Sequence, residues 1–237
     1  MEHGDAVSIA ELLEERRFLL EFARWMPGGP AAAEGVVDET YRRWYALSDA
    51  ARRRIAVPRW WLTRTAAGIC LGMTPAPVAD PVARTEPETA ELSERAGQWL
   101  RSQRSRPTTR QQHDAVAQAV GRACRTEDGD LLTSLLCPDV IAFFDGGGKV
   151  RTLTCPVHGS RQVADTLLTL LAHRPRTTLT THSVNGRTGL VVRYDDQVAA
   201  VIVLHVADDR AALVWVTLNP DKLRSWNQRR RGRTSSA

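Results

Sequence analysis

The chain has 237 residues, 43% of them hydrophobic and 25% charged, with a formal net charge of +5. That length can hold one large domain or two small ones with real cores, and the composition excludes a disordered chain. No apolar run approaches the roughly 18 residues of a membrane span, and the acidic start Met1-Glu2-His3-Gly4-Asp5 is not a signal peptide, so a cytoplasmic protein without membrane contact is expected.

The first piece, residues 8–73, reads as helices. Ser8 and Glu11 form a capping box ahead of Leu12, Leu13, Leu19, Leu20 and Phe22, which are spaced as an amphipathic helix. Pro27-Gly28-Gly29-Pro30 stops the chain and restarts it. From residue 31 the positions Val36, Val37, Thr40, Tyr41, Trp44 and Leu47 recur at helical intervals. Ser48 can cap a short third helix over residues 49–55. Pro58 opens a fourth over residues 59–71, which Gly72 ends.

Residues 74–108 read as a linker. Pro75, Pro77, Pro81 and Pro87 punctuate its first half. A single helix is predicted over residues 88–104, with Leu92, Ala96, Trp99 and Leu100 on one stripe and Gly97 inside it.

The second piece, residues 109–226, reads as α+β. Helices are predicted over 110–125, 131–136 and 160–173, and strands over 140–144 and 150–157. Then comes a meander of strands 177–184, 190–194, 198–206 and 213–218. The turns between them are Asn185-Gly186, Asp195-Asp196 and Asp208-Asp209, a strong antiparallel hairpin signal. Helices followed by such a sheet predict a cone with a curled antiparallel sheet and one pocket-bearing end. The remaining residues, 227–237, contain Arg229, Arg230, Arg231 and Arg233 and are expected to form a disordered basic tail.

Of 32 basic residues other than histidine only two are lysines, and both stand in turn-like motifs. Lys149 closes Asp145-Gly146-Gly147-Gly148-Lys149; Lys222 lies in Asn219-Pro220-Asp221-Lys222-Leu223. Lysine is a compact mobile charge where arginine is a rigid fork, so the two do not substitute freely at a tight backbone site. The cysteines Cys70, Cys124, Cys137 and Cys155 are scattered without ligand spacing, so no metal and no cofactor is expected. His158, His182 and His205 are pocket candidates, with His205 alternating onto the face of Val201 and Val203.

Four motifs then carry a resemblance. Ala33-Glu34-Gly35-Val36-Val37-Asp38-Glu39-Thr40 resembles the A-E-D-V-V-Q-E-T helix in region two of extracytoplasmic-function sigma factors. Pro58-Arg59-Trp60-Trp61-Leu62 resembles the P-R-A-W-L start of that family's promoter-melting helix. The second piece is similar to the SnoaL-like domain carried by one sigma subgroup, in which D-G-G-G-K and N-P-D-K-L are signatures; both stand here complete.

The resemblance implies a transcription regulator acting through bacterial core RNA polymerase, with a SnoaL-like domain that modulates it. It implies polymerase binding by Asp38, Glu39, Tyr41, Arg42 and Trp44. Single-stranded promoter DNA would be met by Trp60, Trp61, Thr63 and Arg64 through stacking and phosphate pairing. The glycine and proline motifs, Asp145 to Lys149 and Asn219 to Leu223, would be interdomain and regulatory.

There are departures. The linker has room for one helix, where the family's region four has a helix-turn-helix that needs two. Promoter contact would therefore be weakened. Gly35 replaces an acidic residue. The alternative is a SnoaL-like small-molecule-binding protein or enzyme of the cyclase, isomerase or hydrolase type, using Asp145, His158, His182 or His205 on a pocket ligand.

Overall fold

The structure is a computed structural model that describes residues 7–25, 29–72 and 108–228. The predicted linker helix and residues 229–237 lie outside the described residues. The chain divides into two compact units: Met1–Leu12, Ser105–Gly147 and Thr152–Ala237 form one; Leu13–Arg104 and Gly148–Arg151 form the other. Sequence reading places Gly148–Arg151 with the second piece, whereas here these four residues belong to the helical unit. Among the described residues no helix is long and apolar enough to cross a membrane.

The helices of residues 9–70 follow their start and stop signals, although Ser8–Leu12, at the start of the first, fall in the other unit. Helix α1 (Ile9–Trp25) begins where Ser8 and Glu11 cap each other reciprocally, each backbone N–H donating to the other's side chain at 3.3 Å. Helix α2 is Gly29–Ala46. Helix α3 (Asp49–Arg53) is capped by the Ser48 hydroxyl, which accepts from the Ala51 N–H. Helix α4 (Pro58–Cys70) has its proline in the first turn, where a missing N–H costs nothing. The core is Leu19 from α1, Val37, Tyr41 and Trp44 from α2, and Leu62 and Ala66 from α4. Burying a side chain such as Leu62 contributes about 1.5–3 kcal/mol.

The other unit is α+β, helices packed on one curled sheet. Helix α5 (Arg110–Arg125) is capped reciprocally by Thr109 and Gln112; helix α6 is Gly129–Ser134. The six strands are β1 (Leu136–Asp145), β2 (Val157–His158), β3 (Thr177–Val184), β4 (Arg187–Tyr194), β5 (Gln197–Ala207) and β6 (Arg210–Thr217), with helix α7 (Ser160–Leu170) between β2 and β3. They lie in the order β2-β1-β6-β5-β4-β3. Register shifts interrupt the pairings β1/β6, β4/β5 and β5/β6, and such irregularities bend a sheet. Helix α5 packs on β3, β4 and β5, and α7 on β1.

Three expectations change. The sheet is mixed rather than antiparallel, because β1 and β6 pair in parallel. A hairpin turn fixes direction only for the strands it joins. Helix α7 carries the chain to the far edge at β3, and three reversals return β6 alongside β1 in the same direction. The strand expected over 150–157 shrinks to Val157–His158, since Val150 is held in the helical unit and Pro156 lacks a donor. Asn219-Pro220-Asp221-Lys222 is not a loop but the opening of helix α8 (Pro220–Gln228), which runs two residues past the expected boundary. The Asn219 side chain accepts from the Asp221 N–H at 3.0 Å, and Leu223 packs among Val184, Val191, Val198 and Val201. Asn227 both accepts from and donates to the backbone of Val198.

Candidate functional site

The first three residues of one lysine motif, Asp145–Gly147, meet the other motif, Asn219–Leu223, in the sheet unit. Parallel pairing of β1 with β6 sets Asp145 beside Thr217, so both strands end at one place. There the Leu218 N–H donates to the Asp145 carbonyl at 2.7 Å. The Asp145 carboxylate is shared: Oδ1 accepts from the Gly147 N–H at 2.9 Å and Oδ2 pairs with Lys222 Nζ at 2.7 Å. Gly147 has φ +59, and a Cβ built on it would stand 2.1 Å from the Asn219 amide nitrogen. Only glycine fits both the backbone angle and the closeness of Asn219. Gly146 is buried at the end of β1. Asp145, the glycines, Asn219 and Lys222 are thus one built corner, with Pro220 and Asp221 in the first turn of the helix it starts.

The next four residues are part of the helical unit and leave its α2 face with inserted backbone. Lys149 Nζ pairs with Asp38 Oδ2 at 2.7 Å, and Arg16 donates to the Lys149 carbonyl at 3.1 Å. The Tyr45 hydroxyl donates to the carbonyl of Val150, whose side chain is buried. Arg151 lies 3.4 Å from both oxygens of Glu15, which also accepts from the Tyr41 hydroxyl at 3.4 Å. Glu15 is 5% exposed. Burial raises its pKa, and Arg151 pulls the other way. Burial, then the Glu15 charge, pushes the Tyr41 phenol well above its usual value. Sequence reading missed this pair, although a signal existed: Glu15 interrupts the apolar stripe Leu12, Glu15, Leu19 at helical spacing.

The α2 residues separate by depth. Tyr41 and Trp44 are core residues, at 0% and 2% exposure, and touch no surface. Arg42 is exposed and pairs with Glu39, which also holds Arg43 at 2.7 Å. Asp38 is half-buried and engaged by Lys149. Of the five residues expected to meet polymerase, Asp38, Glu39 and Arg42 are the ones that reach the surface of this helix.

On α4 the adjacent tryptophans take opposite sides. Trp61 packs edge-on against Trp44, centroids 5.4 Å apart, while Trp60 is 62% exposed with the Arg64 guanidinium 5.5 Å from its ring centre. Thr63 turns inward on its own helix, donating to the Arg59 carbonyl at 2.8 Å. Residues 48–72 contain five arginines and one acid, Asp49.

The histidines do not converge. His158 is on β2 and His182 on β3, the two edges of the sheet, both exposed; His182 meets the Trp226 ring edge-on at 6.3 Å. His205 is half-buried within β5; burial, then Arg187, then His113 lower its pKa. No cluster of metal-ligating side chains occurs among the described residues.

No family model and no curated protein matches the chain. Among solved structures it is similar to the extracytoplasmic function sigma factor SigJ of Mycobacterium tuberculosis, at 22% identity over 91% of this chain and 98% of that one, TM-score 0.40. It is also similar to an epoxide hydrolase of the LEH-like type from M. tuberculosis, at 18% identity over 50% of this chain and 91% of that one, TM-score 0.34. A further likeness is an NTF2-like protein of unknown function from Cytophaga hutchinsonii, at 12% identity over 50% and 98%, TM-score 0.34. At these values the likenesses establish no activity for this chain.

Proposed function

We propose that this chain regulates transcription through RNA polymerase, as a divergent sigma factor of the extracytoplasmic-function type whose SnoaL-like unit modulates it. The observation that carries the reading is the split of Trp60 from Trp61. One ring completes the helical core and the other stands in solvent beside Arg64, on a segment that is almost purely cationic. An exposed tryptophan flanked by arginines stacks on unpaired bases and neutralises phosphate, which is how a single strand is held without reading a duplex. The acidic residues of α2 supply a chemically distinct face for polymerase, carried by Asp38, Glu39 and Arg42 over the buried Tyr41 and Trp44. In this reading the Asp145–Lys149 and Asn219–Leu223 motifs are the regulatory elements of the chain.

The test is binding of the purified chain to bacterial core RNA polymerase. A control must spare the core, so Glu39→Ala with Arg42→Ala is used instead of any change at Trp44. Binding that weakens by about tenfold in the double variant, equivalent to about 1.4 kcal/mol, supports the reading. No binding at micromolar protein sinks it.

A further inference from the structure

We infer that the single-strand surface is wider than α4 and that Phe18, from α1, is its second stacking ring. This rests on the reading of α4 as facing nucleic acid. Phe18 is 37% exposed, and the guanidinium of Arg59 lies 4.5 Å from its ring centre. Arg59 immediately precedes Trp60, whose ring is served by Arg64 in the same way. The helical unit thus carries two exposed rings, one on α1 and one on α4, each with its own guanidinium from α4. Phe22 stacks behind Phe18 at 6.5 Å and fixes its orientation.

The arrangement matches one class of occupant. An exposed apolar ring would ordinarily invite another apolar surface, but here each is covered on one side by a full positive charge. Exposed Arg53 and Arg54 add to that charge and Asp49 is the single acid of the segment. A folded protein partner would have to bury those guanidiniums against matching carboxylates. A single-stranded nucleic acid presents its phosphates to the arginines and its bases to the free ring faces, and guanidinium planes stack on bases as well. Duplex DNA hides its base faces and could use only the charges. The proposed ligand is therefore unpaired DNA engaging two bases, with little sequence preference, and no polymerase is needed to observe it.

The experiment is fluorescence anisotropy of a short, labelled, mixed-sequence single-stranded DNA titrated with the full chain, compared with Phe18→Leu and Trp60→Leu. Leucine keeps apolar volume and removes only the π face, and Phe18→Ala serves as a second check on the same site. Arg229, Arg230, Arg231 and Arg233 are the same in every variant, so the difference between variants reports stacking. Each leucine variant is expected to bind roughly five- to a hundredfold more weakly, the loss of one base–ring stack, with an unchanged salt slope. Phe18→Leu binding as tightly as the parent chain overturns the second ring while leaving Trp60 untouched. Equal or tighter binding of the duplex, or no binding by the parent chain, overturns the surface altogether. Because polymerase is absent, a failure here is distinct from a failure of the α2 face to bind core enzyme.

Discussion

The sheet unit closes its three hairpins with residue pairs at positive φ, Asn185 with Gly186, Asp195 with Asp196, and Asp208 with Asp209, as type I′ turns require. Among its buried polar side chains, Thr166 donates to a backbone carbonyl, and His113 meets the Leu204 carbonyl through Nε2 while its Nδ1 has no hydrogen-bond partner. The helical unit is built otherwise. It holds a carboxylate, Glu15, inside the core beside a phenol and answers it with Arg151, a residue about 135 positions away in the chain. The first unit is specified by local chemistry; the second is complete only with four residues from elsewhere in the sequence. The difference teaches where each unit is vulnerable.

The largest effect should follow from removing the borrowed cation. Arg151→Ala leaves Glu15 in the core without its ion pair, and breaking a buried pair on one side costs about 3 kcal/mol or more. Hydrogen exchange should show the amides of α1 and α2 opening more readily while β4, β5 and β6 keep their protection. Replacing both partners, Glu15→Leu with Arg151→Met, removes the uncompensated charge and should restore protection to near the parent level. If Arg151→Ala left α1 and α2 unchanged, the helical unit would be self-sufficient and the contrast between units would fall.

The same contrast explains what could be read in advance. The hairpin turns were legible because Asn-Gly and Asp-Asp pairs carry their own backbone preference. The caps at Ser8, Ser48 and Thr109, and the proline start of α4, are likewise local signals. Parallel pairing of β1 with β6 was not legible, because no turn joins them. Helix α8 was hidden by its own cap: Asn219-Pro220 reads as a turn, yet an asparagine followed by proline in the first turn is also how a helix begins. Of the site, the lysine motifs and the exposed tryptophan stood out by composition. Arg151 and Phe18 did not, since their meaning depends on Glu15 and Arg59, which only packing brings near them.

A smaller effect is expected at the corner where the two lysine motifs meet, and it can be graded. Gly147→Ala must place a Cβ at positive φ and displace Asn219, whose side chain is held by the Asp221 N–H. The backbone strain alone is about 1–2 kcal/mol. Gly148→Ala has the strain without the clash, since nothing lies within 4 Å of its added Cβ, and should cost less. Lys222→Ala removes a pair whose lysine side chain is 65% exposed, worth under about 1 kcal/mol. Denaturant unfolding of the full chain should rank the three in that order. A reversed order would mean that the charges, not the glycine backbone, hold the corner.

The smallest effect is a pH dependence confined to the sheet unit. His205 has a folded-state pKa below the ordinary histidine value, because burial, then Arg187, then His113 disfavour its charged form. The unfolded chain therefore binds a proton at a pH where the folded chain does not. Stability from this group is present in full above about 6.5, the ordinary value, and falls as the pH drops from there through the lowered folded pKa. In His205→Asn, which cannot titrate, that part of the acid sensitivity should vanish. The measurement is the difference in unfolding midpoint between parent and variant across neutral to mildly acidic pH: it should be constant above the ordinary histidine value and narrow or reverse below it. A difference flat throughout would show that β5 tolerates a charged imidazole, so that the sheet is wetter at His205 than its half-burial among Arg187 and His113 implies.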